Sequence, residues 1–469
     1  MRTPISNIKR ITILNAQLPP LALIACLYGA LALGGTSAHA ATFEAGNIGG
    51  TWAASGNPYI VTDNCTLTSN LIIQPGVVLN IGSNLTITAN GFVIQAVGTP
   101  TSRITIQPAV SSQSWNTISV TVGSVAQAAT NFFEYCDFTS AQTAISLLVF
   151  APGAGLNRSM FAEIVNCTFT NCSAQAIYAE SVGAPPFQGG DSFLFPGVRN
   201  CAFNSTSNGC LMLIHGGQGA GHASPAFYAN IFQNLTGAAL RMSANGNAAS
   251  SHATFINNTL VNCRVGVSAV DPWDAQVEAN AFVGATNALI VSGSLSRNVE
   301  YNDFYANATN FTGYPGTYGS VVTVNGNGTP SDILYNIFQN PLFVSATDVH
   351  LGGGSPCIDA GPPDAANYDS CLPPSLGSLT NDIGAYGGPN DCQWIATAPL
   401  TNIFNLAIAK YVGVTVNPPA SGHYRLEYAP AVGNTNNWTQ ITNLILSAPF
   451  TYYDPVGVGP RFYRAVLLP

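Results

Sequence analysis

Four residues in the middle of the chain combine acids and an imidazole at a spacing that suggests acid/base work: Glu180, His215, Asp271 and Asp274. Counted from a recurring aromatic position, Glu180 lies eleven residues after Phe169, Ser243 eleven after Phe232 and Asp271 eleven after Leu260, with His215 twelve after Phe203. If each interval is one structural repeat, these four positions fall near one line. Carboxylates and an imidazole so placed can serve as general acid and base. A retaining glycosidase pair needs carboxyl groups about 5 to 5.5 Å apart, and an inverting pair about 6.5 to 9.5 Å. Across three rungs of about 4.8 Å, Glu180 and Asp271 are too far apart to pair, so Asp271 with Asp274 is the closer couple. Arg241, Trp273, His222 and Asp191 flank this line and are the candidate ligand-binding groups, the indole as a platform for a sugar and the polar groups to orient it. The same residue types also hold turns and strand ends.

What must position them is a repeat. The segments EYCDF, VNCTF, RNCAF, YANIF, INNTL, EANAF, EYNDF and LYNIF align, which puts Phe138, Phe169, Phe203, Phe232, Leu260, Phe282, Phe304 and Phe338 in one column. Two positions earlier stand Cys136, Cys167 and Cys201, then Asn230, Asn258, Asn280, Asn302 and Asn336. Short apolar alternations ended by Asn, Gly or Thr, with no helical periodicity, predict a parallel β-solenoid. The Phe column is then an internal stack and the Asn column an amide ladder. Intervals as short as 22 residues exclude a propeller, whose blades repeat at about 40 to 50. Residues 65–107, a series of Val/Ile/Leu/Thr strands broken by Pro-Gly, Gly-Ser and Asn-Gly, read as the first rungs.

Composition agrees. Only 7% of the 469 residues are charged, against roughly 25% in an ordinary soluble domain, while 47% are hydrophobic. With 13 Lys+Arg against 21 Asp+Glu and no basic run, nucleic acid is excluded as a partner. The N-terminus carries Arg2, Lys9 and Arg10, then the apolar run Leu21 to Leu33, then Ala38-His39-Ala40, the pattern of a secretory signal cleaved after Ala40. Its 13 apolar residues fall short of a span, and no later run is apolar enough for long enough to make a transmembrane segment. The predicted organisation is therefore residues 1–40 as signal peptide, 41–394 as the solenoid and 395–469 as a C-terminal module. The solenoid lacks lysine altogether. Ten cysteines remain after cleavage, which permits disulfides in an exported protein. Cys357, Cys371 and Cys392 flank a Pro/Gly-rich stretch suited to bridging, whereas the repeat cysteines read as small buried hydrophobes.

The coil pattern resembles the right-handed parallel β-helix proteins of the pectin-lyase-like superfamily. The stretch NIFQNPLFVSATDVHLGGGSPCIDAG followed by DIGAYGG is similar to the closing coils of bacterial members called choice-of-anchor Q proteins. The matching positions are Pro341, Leu342, Phe343, Leu351, Ser355, Pro356, Ile358, Asp359, Ala360, Gly361, Asp382, Ile383, Gly384, Ala385 and Tyr386. Cys357 stands where the pattern has Ala, and Gly387 where it has Glu. The resemblance implies that Asp359 and Asp382 hold closing turns. The fold class expected is thus all-β, a right-handed parallel β-helix followed by a small β-sandwich-like module. That module, with FTYYDP and RFYRAVLLP strands, resembles C-terminal segments of secreted Verrucomicrobia and Planctomycetes proteins.

No cofactor and no metal are expected. Calcium needs six to eight oxygens, and the only grouping that offers them is Asp359, Asp364, Asp369 and Asp382. The sets of residues typical of pectate lyases and polygalacturonases are not found, so the leading expectation is a secreted or cell-surface protein that binds glycan or extracellular matrix, adhesive or structural in role. The alternative is a polysaccharide lyase or glycoside hydrolase acting on a neutral or weakly charged glycan. A monomer is expected.

Overall fold

A computed structural model describes residues 40–123, 128–153, 155–184, 189–216, 219–246, 251–270, 273–292, 297–397, 411–417, 421–429, 438–447, 450–455 and 462–468. The predicted signal peptide and Asp271 lie outside the described residues; Trp273 opens the strand Trp273–Glu278, of which the backbone is described there. No helix among the described residues is long and apolar enough to cross a membrane. The chain divides into two compact units between Ala398 and Pro399.

The larger unit is a parallel β-solenoid. Each coil supplies three strands, as Thr168–Thr170, Gln175–Val182 and Ser192–Arg199 do in one turn. Each strand pairs in parallel with its counterpart one coil on: Phe169 with Phe203, Ile177 with Cys210, Phe193 with His222. Three stacks result, here sheet C (the aromatic-column strands), sheet A (the strand that follows) and sheet B (the strand that closes the coil). The strands form because inward and outward residues alternate with period two; in Ser192–Arg199 every second residue is buried.

Between sheets B and C the chain bends sharply at one residue per coil. Asn166, Asn200, Ala229, Asn257, Ala279, Tyr301 and Tyr335 all hold φ between 52° and 61°. Asn tolerates this left-handed region by its short polar side chain, which is why it recurs there.

The core carries the two predicted columns. Phe138, Phe169, Phe203 and Phe232 stack face to face with centroids 4.9, 4.8 and 4.5 Å apart, all fully buried. Next to them, Asn230 Nδ2 donates to Asn258 Oδ1 at 2.9 Å, Asn258 to Asn280 at 2.9 Å, Asn280 to Asn302 at 3.0 Å and Asn302 to Asn336 at 3.0 Å. The ladder ends on Asp332, which accepts from Asn336 Nδ2 at 3.2 Å. Earlier in the column the free thiols of Cys136, Cys167 and Cys201 donate to backbone carbonyls of Ala96, Phe133 and Ile164.

Beyond Thr312 the chain loses regular strands and runs back along the outer side of sheet C. Val349, Ala385, Tyr386 and Trp394 cover Ile231, Val261 and Val283. Asn257 Nδ2 donates to Asn381 Oδ1 at 2.9 Å, and Ala385 N to Thr259 Oγ1 at 2.9 Å. One disulfide, Cys371–Cys392, fastens this segment, while Cys357 is a free thiol that donates to Asp303. Asp382 holds a closing turn through both oxygens, accepting from Asp359 N and Leu376 N at 2.8 Å each. The smaller unit consists of antiparallel pairs: Tyr411–Val416 with Phe450–Pro455, and Gly422–Ala429 between Thr439–Leu446 and Phe462–Leu467.

Candidate functional site

The outward face of sheet A presents side chains in rows. One row, at the start of each strand, is neutral and polar: Thr143, Gln175 and Asn208 stand in register on successive rungs. Gln175 Nε2 donates to Thr143 Oγ1 at 3.0 Å within it. Five residues along each strand lies a second row, Leu148, Glu180, Leu213 and Ser243.

The expected line of Glu180, His215 and Ser243 is therefore corrected. His215 shares its row with Val182 and Asn245, two positions further along the strand than Glu180. The cause is that coil lengths between the aromatic column and sheet A differ by a residue, and a shift of that kind moves a side chain along the face. The contact survives on the diagonal: His215 Nε2 lies 3.0 Å from Glu180 Oε1. The approach is off the line of a hydrogen bond, so this shielded nitrogen has no hydrogen-bond partner. Glu180 Oε2 accepts from the Tyr178 hydroxyl at 2.7 Å. Burial first, then the hydrogen bond to Glu180, pushes the Tyr178 phenol well above its usual range. Tyr178 thus stays neutral and donates.

Glu180 and His215 edge a groove of about 620 Å³ whose other walls include Leu148, Phe150, Val182 and Gly183. Apolar walls with one polar cluster are the usual build of a small-ligand site. Chemically, the arrangement holds a carboxylate that accepts from a phenol on one side and faces an imidazole on the other. Tyr178 was within reach of sequence reading, because a residue two before Glu180 on a strand faces the same way.

The remaining candidates form separate pairs at the starts of sheet B strands. His222 Nε2 lies 4.0 Å from Asp191 Oδ2 and its ring stacks on Phe193 at 4.7 Å. Asp191 Oδ1 also accepts from Ala220 N at 2.8 Å, which gives it a turn-holding role. His252 Nδ1 lies 3.3 Å from Asp274 Oδ2, in register across the two strands. Asp274 therefore has an imidazole partner that sequence reading did not single out. Arg241 sits elsewhere on sheet A, opposite Leu211 and Ser268, and lines a hollow of about 430 Å³ together with Arg264 and Asn208. Among the described residues, then, Glu180 and His215 come together, whereas Asp191, Asp274 and Arg241 occupy other places on the coil.

Of the four carboxylates considered for calcium, Asp382 holds a closing turn through both oxygens, Asp359 holds one through Oδ1, and Asp369 accepts from Asp382 N at 3.1 Å. Asp364 likewise holds a local turn through Asn367 and Ala366. Their oxygens face backbone amides, a donor set that competes with a hard cation. Comparison of the chain with protein-family models, with curated proteins and with solved structures finds no match.

Proposed function

We propose that this chain is a secreted or cell-surface β-helix protein, akin to the pectin-lyase-like superfamily, that binds a neutral or weakly charged glycan along sheet A. The carrying observation is the neutral Thr143–Gln175–Asn208 row, in register on the strands whose later residues line an apolar groove. Hydroxyl and amide groups repeating every rung, about 4.8 Å, suit the hydroxyls of an extended sugar chain. Leu148, Phe150 and Val182 suit the apolar faces of its rings. The groove holds a single carboxylate, Glu180, where a glycosidase needs a pair, which favours holding a ligand over cleaving it. Export through residues 1–40 and attachment through residues 399–469 belong to the same reading.

A second reading rests on the Tyr178–Glu180–His215 contact, which supplies a base and an acid in one groove. A panel of neutral and weakly acidic polysaccharides, assayed for retention of the protein and for new reducing ends or unsaturated products, separates the two. Retention without products, weakened by Leu148→Asp and Gln175→Ala, is the expected result. Products that disappear in Glu180→Gln would replace binding by catalysis. No retention on any member of the panel would remove both.

A further inference from the structure

At the far end of the coil, away from the groove on sheet A, a cleft of about 650 Å³ opens between the last rungs and the irregular segment that follows. Its walls include Tyr301, Tyr335, Asn325, Asp359, Ser378 and Thr380. The two tyrosines stack with centroids 5.1 Å apart and planes 16° from parallel, and Tyr335 is 40% exposed.

Both tyrosines occupy the left-handed bend where most coils place Asn or Ala, with φ of 55° and 61°. A bulky ring in that region is held at a cost and needs support from its surroundings. The support is visible: Tyr301 N donates to Leu334 O, Tyr335 N to Asp332 O, and Asn325 Nδ2 to Tyr335 O at 2.9 Å. Asn325 also donates to Ala360 O at 2.8 Å, which ties the aromatic wall to the opposite one. The platform is therefore rigid before any ligand arrives.

The charge around it has one sign. Among the described residues no Lys, Arg or His lines the cleft, and Asp359 does. Glu278 and Glu300 stand one rung apart, in register, on the strands that lead into the bend, and Asp364 follows the lining residue Pro363. Burial first, then Tyr335, Glu300, Glu278 and Asp364 push the Tyr301 phenol up, so these carboxylates are close enough to be felt in the cleft. A π-face flanked by carboxylates and free of cations favours a positive group over a neutral or negative one.

We propose that this cleft binds an organic ammonium group, seated on the Tyr301–Tyr335 face and neutralised by Asp359. The shared chemistry is a cationic nitrogen carried on a small organic body, whether a quaternary headgroup or the protonated amine of an amino sugar. The site is independent of the glycan groove.

Titration calorimetry on the full chain, with four probes, tests it. Choline and glucosamine supply the two ammonium sources; 3,3-dimethylbutan-1-ol and glucose are their uncharged counterparts. At least one cation is expected to bind about tenfold or more tightly than its counterpart, the worth of one desolvated cation–π contact. Raising salt from low to high ionic strength weakens that binding. Tyr335→Phe keeps the affinity, whereas Tyr335→Leu, of similar apolar bulk, loses about tenfold. Asp359→Asn weakens the cation without moving the neutral probe. Equal affinity for charged and uncharged probes, no binding by either cation, or full affinity in folded Tyr335→Leu overturns the proposal. Loss of glycan binding in Glu180→Gln leaves it untouched.

Discussion

One internal column crosses two different regions of the solenoid. In the rungs that carry the groove it is built from Cys136, Cys167 and Cys201; in the later rungs, from Asn230 to Asn336, it is an amide ladder. The thiols each donate one weak bond to a backbone carbonyl and link little to one another. Each amide, by contrast, donates to its neighbour's oxygen while that oxygen also receives the neighbouring backbone N–H, as Asn302 Oδ1 does from Asn280. The surroundings differ in the same sense. Near the thiols sheet A is open and its face holds the groove, whereas the later rungs are overlaid on sheet C and enclose carboxylates, Asp303, Asp332 and Asp382 among them. The contrast teaches that one fold position can be filled by a shape-filling residue or by a connecting one, and that the connecting choice accompanies buried charge.

The largest effect is expected from breaking the ladder. Asn280→Ala leaves Asn258 N and Nδ2 and the Phe255 carbonyl without this partner in a dry core and should cost about 3 to 5 kcal/mol. Chemical denaturation measures it; a loss under about 1 kcal/mol would mean that the ladder is decoration.

A smaller effect, confined to the later region, follows from its acids. Burial pushes Asp303 and Asp382 up to about 8. In the unfolded chain a carboxyl titrates near 4, so between these limits the folded state binds the extra protons. Their stabilising contribution is present below about pH 4 and fades as pH rises towards 8. Thermal melts should therefore give a higher Tm at pH 5 than at pH 8, with the difference reduced in Asp303→Asn. A Tm that climbs with pH over this window would contradict the assignment.

The smallest effect belongs to the thiol region. Cys167→Ala removes a buried sulfur and one weak donor, and about 1 to 2 kcal/mol is expected from the same denaturation experiment. A cost equal to that of Asn280→Ala would erase the distinction between the two halves.

Much of this was legible in the sequence. The Phe and Asn columns could be read because identical positions must stack in a solenoid, so the repeat itself declares what faces inward. The closing role of Asp382 followed from the resemblance at the coil's end. The site was read less well. Glu180 and His215 were chosen correctly as neighbours but placed on one row, since a one-residue difference in turn length is invisible to a count from the aromatic column. The His252–Asp274 pair escaped because its members come from different coils, and so did the tyrosine cleft, whose opposing walls are about sixty residues apart from Tyr301 to Asp359. Contacts made by a chain that doubles back carry no periodic mark.

The amide ladder has one more consequence. In every rung one Nδ2–H points towards the coil's end and the other returns to a carbonyl of the rung before, so five side-chain amides are chained head to tail, much as peptide units are along a helix. The positive pole of that array meets Asp332, a carboxylate with no exposed surface. The solenoid thus carries a polarised axis inside its core, closed by a buried acidic side chain.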